Sequence, residues 1–193
     1  MNGDELSIIG QHGQCLALEL RAGCLIGDRA ALEPVRDVVD ALSRQGIPKL
    51  AVMNGHGGNN FKQILRELQP QFPNVFLCTF NWYDTIRWAD YFEDQGDHAG
   101  EMETSIMLHV APDLVRPLAE AGDGAARRSR LQAVREGWAW AQREWTKVTA
   151  DTGIGDPSRA TADKGRRSLD AITRKIAAFL VELAACDPAN LYE

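Results

Sequence analysis

At 193 residues the chain has the length of one domain, enough to bury a core without disulfide staples. A hydrophobic fraction of 45% and a charged fraction of 25% are those of an ordinary soluble globular protein. The formal net charge of -6 argues against nucleic acid as a partner, and no run approaches the ~20 apolar residues that a membrane span needs. Arg127, Arg128 and Arg130 form the one basic run, expected to be a solvated helix start. Cys15, Cys24, Cys78 and Cys186 lie far apart, which suggests neither a cysteine zinc site nor a disulfide framework. Cys78 is expected to act as a small buried hydrophobe. No sustained apolar stretch follows Met1 to Glu5, so no signal peptide is expected and the cytoplasm is the expected compartment.

The first thirty residues read as short strands or irregular structure, with a weak alternation over Leu16 to Leu20. From Ala30, Leu32, Val35, Val38, Val39 and Leu42 recur at helical spacing, with Gly46 placed to end the helix. Leu50 to Met53 is apolar without alternation, as expected of a strand covered on both faces. A glycine- and asparagine-rich turn over Asn54 to Asn60 leads into a helix from Phe61 to Leu68, closed by Pro70. Val75 to Phe80 reads as a second buried strand, so Lys49 to Phe80 forms a β-α-β unit with parallel strands. Their ends at Met53 and Phe80 should lie side by side. A helix over Glu101 to His109, a tryptophan-rich helix over Leu131 to Trp145 and an amphipathic helix over Ser168 to Leu183 follow. The last carries Leu169, Ile172, Ile176, Phe179, Leu180 and Leu183 as its apolar stripe. The whole predicts one α/β domain over 1–193, helices covering both faces of a largely parallel sheet.

Ligands of open α/β sheets bind beyond the carboxyl ends of the strands. Asn54-Gly55-His56-Gly57-Gly58-Asn59 starts at such an end. Its glycines let the backbone turn tightly, and His56 is held there with an imidazole able to coordinate. The plainer alternative is a glycine turn with an incidental histidine. The second cluster, Asp97-His98-Ala99-Gly100-Glu101-Met102-Glu103-Thr104-Ser105, puts two carboxylates and an imidazole near a helix start. Glu101 and Glu103, two positions apart, point to different faces. The alternative here is helix capping, with Asp97 as the cap and acids favoured by the dipole; it needs neither His98 nor Glu103. His109 reads as structural. The third segment, Gly153 to Gly165, is a turn leading into a helix near Ser158, and it lacks the order of a P-loop. The glycine loop likewise lacks the Gly-x-Gly-x-x-Gly order of a dinucleotide site.

Together the three segments resemble the creatininase family of creatinine amidohydrolases and related cyclic-amide and formamide hydrolases. Asn54-Gly55-His56 resembles the family's Asn-Gly-His loop. His98 to Ser105 resembles its His-Ala/Gly-Gly-x-x-Glu-Thr-Ser motif. Gly155-Asp156-Pro157, with Ala160, Lys164 and Gly165, resembles its Gly-Asp-Pro turn and following helix. The resemblance implies a three-layer α-β-α, creatininase-like fold and a metal-dependent amidohydrolase acting on the C–N bond of a small-molecule cyclic amide or formamide. It implies zinc, manganese or iron as cofactor and a homo-oligomer, commonly a hexamer. It makes His56 and Glu103 metal ligands, with an acid–base role beside the metal as the alternative for Glu103. It makes His98 and Glu101 catalytic, His98 by orienting substrate or carrying a proton to the leaving nitrogen. Gly57, Trp82 and Tyr83 are the substrate-binding candidates, core packing being the alternative for the two aromatic rings. His56, His98 and Glu103 should then share one cleft and His109 should not.

The sequence departs from the family at its start. Gln11-His12-Gly13 is similar to the middle of the family's Glu-x-His-Gly-x-His segment. However, Gly10 stands where the Glu is expected and Cys15 where the second His is expected. The expectation is that residues 1–29 enter the family fold after its first strand and helix, and that the match at His12 is chance. A non-catalytic relative that keeps the fold and the oligomer surfaces is the competing reading.

Overall fold

The computed structural model describes residues 6–9, 16–20, 28–94 and 96–193, with side chains from Leu32 onward. The expectations for Gly10, His12, Cys15 and Cys24 lie outside the described residues. Contacts divide the chain into two compact units, one of residues 1–85 and 174–193 and one of residues 86–173.

The first unit is built on a four-stranded sheet in the order β1 (Leu6–Ile9), β2 (Leu16–Leu20), β3 (Lys49–Asn54), β4 (Phe76–Asn81). β1 pairs antiparallel with β2, whereas β2 with β3 and β3 with β4 are parallel. The expected β-α-β unit is therefore present, with Met53 opposite Phe80. Helix α1 (Asp28–Arg44) precedes β3, and α2 (Phe61–Leu68) crosses from β3 to β4. Gly46 ends α1 with φ +70, and the amide of Ile47 donates back to Leu42 O at 3.0 Å, which closes a Schellman turn.

Successive strand residues face opposite sides, and this sorts the packing into layers. Leu50, Val52 and Leu77 meet Val35, Val39 and Leu42 of α1 and Phe61, Ile64, Leu65 and Leu68 of α2 in one buried cluster. Each such buried side chain contributes about 1.5–3 kcal/mol. Lys49, Ala51 and Met53 take the other side of β3. There the second half of α6 (Ala162–Ala185) closes the sheet. Phe179 meets Phe80 edge-on at 5.4 Å. Lys49 Nζ donates to the carbonyls of Leu183, Ala184 and Cys186 at 2.9, 2.8 and 2.5 Å. Those carbonyls end a helix and lack helical partners, so a buried ammonium both satisfies them and meets the negative end of the dipole. The three-layer α/β arrangement is thus present within this unit. Cys78 is half-buried rather than buried, its thiol near Leu50 O.

The second unit holds α3 (Glu101–Val110), two one-turn helices, α4 (Gln132–Arg135) and α5 (Trp145–Val148), and the first half of α6. The continuous helix expected over Leu131 to Trp145 is corrected. Gly137 adopts φ +80 and ends the turn, and Trp138 and Trp140 are 75% and 82% exposed. Without a face to bury them, the tryptophans give no reason for the helix to continue. The run Arg127, Arg128 and Arg130 is solvated as expected but lies in irregular chain, not at a helix start.

Candidate functional site

In the first unit the loop after β3 is organised by Asn54, 2% exposed at the strand's end. Its Oδ1 accepts the amide of His56 at 3.1 Å and Nδ2 of Asn59 at 3.4 Å. Its Nδ2 donates to Asn81 Oδ1 at 2.8 Å, to the Tyr83 hydroxyl at 3.3 Å and to Asn59 O at 3.4 Å. One amide thus ties both ends of the glycine loop to the end of β4, a role the residue composition alone did not reveal. The signal available in the sequence was a polar side chain at the last position of a doubly covered strand. Trp82 and Tyr83 follow β4 in a short 3-10 turn, their rings 5.9 Å apart and edge-on. Trp82 Nε1 donates to Gly55 O at 3.3 Å, and the Tyr83 hydroxyl lies 3.9 Å from where a Cβ on Gly57 would stand. Gly57, Trp82, Tyr83 and His56 are therefore neighbours within this unit. Burial, and after it the Asp84 carboxylate, push the Tyr83 phenol above its ordinary value, so it remains a neutral donor. His56 Nδ1 accepts the amide of Gly58 at 2.9 Å. A Cβ on Gly58 would come within 3.0 Å of that nitrogen, so only glycine fits there without displacing the ring.

In the second unit, the chain before α3 is fixed to the third segment. His98 and Ile154 exchange amide bonds at 3.0 and 2.8 Å, and Asp97 N also donates to Ile154 O. Gly100, not Asp97, is the helix N-cap, and Asp97 pairs instead with Arg143 at 2.5 Å. That corrects the expected cap: three residues of chain separate Asp97 from the first turn. Glu101 is fully buried. Its Oε2 accepts the amides of Glu93 and Asp94 at 2.8 Å each, and its Oε1 is in a short ion pair with Lys164 Nζ. Both oxygens are committed, and the carboxylate pins the segment before α3 to α6. Ser105, one turn on, accepts the Thr161 amide at 3.1 Å. A Cβ on Gly165 would overlap Ser105 O at 1.9 Å, so the two helices cross in backbone contact. Asp156 accepts the Ser158 amide at 2.8 Å as an N-cap, a bond that holds its carboxyl below the ordinary range.

Glu103 and His98 are placed differently. Glu103 Oε2 accepts the Ala99 amide at 2.6 Å and holds Ala99 at φ 51, a conformation unusual outside glycine. The His98 ring lies 5.1 Å from Trp145. His109 is exposed near the end of α3. His56, Gly57, Trp82 and Tyr83 belong to the first unit, and His98, Glu101 and Glu103 to the second. An open cavity of about 660 Å³ in the second unit is lined by Glu93, Asp94, Asp123, Asp156, Arg128 and Arg159 among others, and by none of the expected site residues.

The His56 ring as placed is not set to ligate a metal through Nε2. Among the described residues no three His, Cys, Asp or Glu side chains come together to hold one. A histidine that ligates through Nε2 keeps its proton on Nδ1, yet here Nδ1 of His56 faces a donor, the Gly58 amide.

The parallel sheet and its helices recur in solved structures. A Bacteroides fragilis protein assigned as a creatinine amidohydrolase is 41% identical with a TM-score of 0.80, over 87% of this chain and 65% of that one. A creatininase mutant of zinc–zinc type shares the fold at 21% identity and a TM-score of 0.66, over 83% of this chain and 66% of that one. The sequence profile of the Creatininase family, described as creatinine amidohydrolase, matches residues 22–180, and the chain belongs to that family. Among curated relatives, the mycofactocin precursor peptide peptidase of Mycobacterium ulcerans is 32% identical over 62% of this chain and 42% of its own length. That of Mycobacterium tuberculosis is 33% identical over 68% of this chain and 49% of its own. The chain thus spans somewhat less than half the length of the curated relatives it matches. Among the described residues no helix is long and apolar enough to cross a membrane.

Proposed function

We propose that the protein hydrolyses the C–N bond of an amide with the help of a divalent metal. The observation that supports this most is the family match over residues 22–180, with the His56 loop at the carboxyl end of the central parallel strand. The substrate is a small cyclic amide or formamide, or a peptide bond as the names of the curated relatives suggest. His56 and Glu103 are each proposed as a donor to zinc, manganese or iron, His56 with its Nδ1 turned away from the Gly58 amide that it accepts in this structure. Bound metal would supply Lewis acidity and a water of lowered pKa.

The chain's own residues then have separate tasks. His98 hydrogen-bonds the substrate or passes a proton to the leaving nitrogen. Glu101 acts through position, since both its oxygens are held. Gly57, Trp82 and Tyr83 form a flat wall for substrate, with the neutral phenol of Tyr83 as a donor. The chain is proposed to work as a homo-oligomer, the hexamer being the state the family suggests. The competing reading, a non-catalytic relative, draws on the want of a three-ligand cluster among the described residues.

Elemental analysis of the purified chain, with turnover of creatinine, formamides and short peptides after incubation with zinc or manganese, separates the two. Bound metal with turnover of one substrate class, abolished by His56→Ala, is the expected result. Metal-loaded protein with no turnover on any class would leave the non-catalytic relative.

A further inference from the structure

On the proposed function His98 is the group that meets the leaving nitrogen, and such a ring has to be aimed. Working histidines are usually oriented by a hydrogen bond at the second ring nitrogen. Here Nδ1 of His98 is buried and has no partner among the described residues. His98 as a whole is half-buried, and Nε2 is not a buried nitrogen without a partner.

What holds the ring is aromatic. Trp145 lies 5.1 Å away, tilted by 58°. The Arg143 guanidinium sits 4.7 Å over the Trp145 ring, within cation–π range. Arg143 is paired at 2.5 Å with Asp97, the residue before His98. The circuit Asp97, Arg143, Trp145, His98 closes on itself across a stretch of chain whose other end is tied at Ile154. The side chains of Arg143 and Asp97 are 39% and 50% exposed, so their ion pair contributes direction more than hold. Most of the restraint therefore comes from Trp145.

The structure assigns Trp145 and Arg143 as positioning residues that brace His98 in its Nε2–H form, so that neutral His98 presents a hydrogen-bond donor, not a lone pair, to the substrate. The physical reason is the environment of Nδ1. A buried N–H without an acceptor is rarer and less tolerated than a buried lone pair without a donor. A proton on Nδ1 would be such an N–H, whereas a proton on Nε2 would not. His98 in this state suits stabilising a developing charge on oxygen or donating towards nitrogen. It does not suit taking a proton from water at Nε2.

The inference rests on the proposed amide hydrolysis only for its catalytic consequence, and its first test needs no activity. Long-range ¹H–¹⁵N correlation of the ¹⁵N-labelled protein at a pH where the ring is neutral reads the tautomer, with His98→Gln identifying the resonance among four histidines. Wild type should show protonated Nε2 and bare Nδ1. In Trp145→Ala the two nitrogen shifts should move towards the averaged values of a mobile ring, and Trp145→Phe should restore the separation. For turnover, Trp145→Ala should lower kcat by about 10²-fold with KM little changed, as loss of aim does. Arg143→Met should lower kcat by about tenfold or less.

Protonated Nδ1 in wild type overturns the inference, as do shifts and kcat that Trp145→Ala leaves unchanged in protein with native circular dichroism. If Trp145→Ala fails to fold, Trp145→Phe and Arg143→Met compared with wild type decide the matter by the same shifts and rates. Wild type that shows the expected tautomer but hydrolyses no amide sinks the proposed function and leaves the brace standing.

Discussion

Replacing Glu101 tests whether a motif carboxylate works by chemistry or by position. In Glu101→Ala the Lys164 ammonium, 17% exposed, loses its buried partner and the amides of Glu93 and Asp94 lose their acceptor. Removing one member of a buried ion pair costs about 3–5 kcal/mol. Each stranded amide adds about 1 kcal/mol or more where water cannot reach it. These losses overlap, and Lys164 retains Glu93 at 3.3 Å and Arg159 O at 3.1 Å, so about 4 kcal/mol is expected for Glu101→Ala. Glu101→Gln keeps the shape but sets an NH₂ against either the ammonium or the two amides, for about 2–3 kcal/mol. Lys164→Met leaves the carboxylate buried and unpaired and should cost as much as Glu101→Ala. Added to Glu101→Gln it should cost less than the sum, with a coupling of about 1.5–3 kcal/mol. Urea unfolding followed by tryptophan fluorescence gives the stabilities, and amide exchange at Glu93 and Asp94 gives the local signature. A Glu101→Gln protein within about 0.5 kcal/mol of wild type, with unchanged exchange but lost turnover, would refute the structural role and return Glu101 to the chemistry.

Lys49→Met fits the same space but takes the ammonium from three carbonyls, of which Leu183 O keeps the Cys186 thiol at 3.2 Å, and should lower stability by about 2–4 kcal/mol in urea unfolding. Gly165→Ala places a methyl against the Ser105 carbonyl and should cost about 3 kcal/mol or more, visible as a large fall in thermal midpoint. Tyr83 has a folded pKa above its unfolded one, so its contribution is complete below the ordinary tyrosine value of about 10 and is lost as pH rises through the folded pKa. The difference in ultraviolet titration between wild type and Tyr83→Phe should show a late-titrating phenol; one that ionises with the ordinary tyrosines would contradict the burial.

Much of the fold was legible because its signals are local. The unalternating run in β3, the 3.6-residue spacing of Val35, Val39 and Leu42 and the Gly46 stop all became the elements they suggested. The tryptophan segment misleads because large apolar residues imply a surface to pack against, and Trp138 and Trp140 have none. For the site, sequence placed His56 at a strand end, but it could not show that Asn54 ties the loop to Asn81 or that Lys164 meets Glu101. Those are contacts across 27 to 63 positions, and no spacing rule reaches that far.

The motif from His98 to Ser105 divides its labour by helix geometry. Glu101 and Ser105 are four residues apart, hence on one face of α3, and both meet the start of α6. Glu103 lies on another face and reaches back to Ala99, as an acid in the first turn of a capping box reaches back to the chain before it. Ala99 at φ 51 is strained for a residue with a Cβ, and Thr104 Oγ1 also bonds its carbonyl, at 3.3 Å. The Glu103 carboxylate therefore has two separable properties: an acceptor that shapes the His98 loop and a charge that only a cation or a proton requires. Glu103→Gln keeps the acceptor and removes the charge, whereas Glu103→Ala removes both. If Glu103 serves a metal, Glu103→Gln should retain the fold and the His98 resonance while losing metal and turnover, and Glu103→Ala should disturb all four. Should Glu103→Gln bind metal and turn over as wild type does while Glu103→Ala fails, the acid is a cap alone, and the metal must be held by other residues.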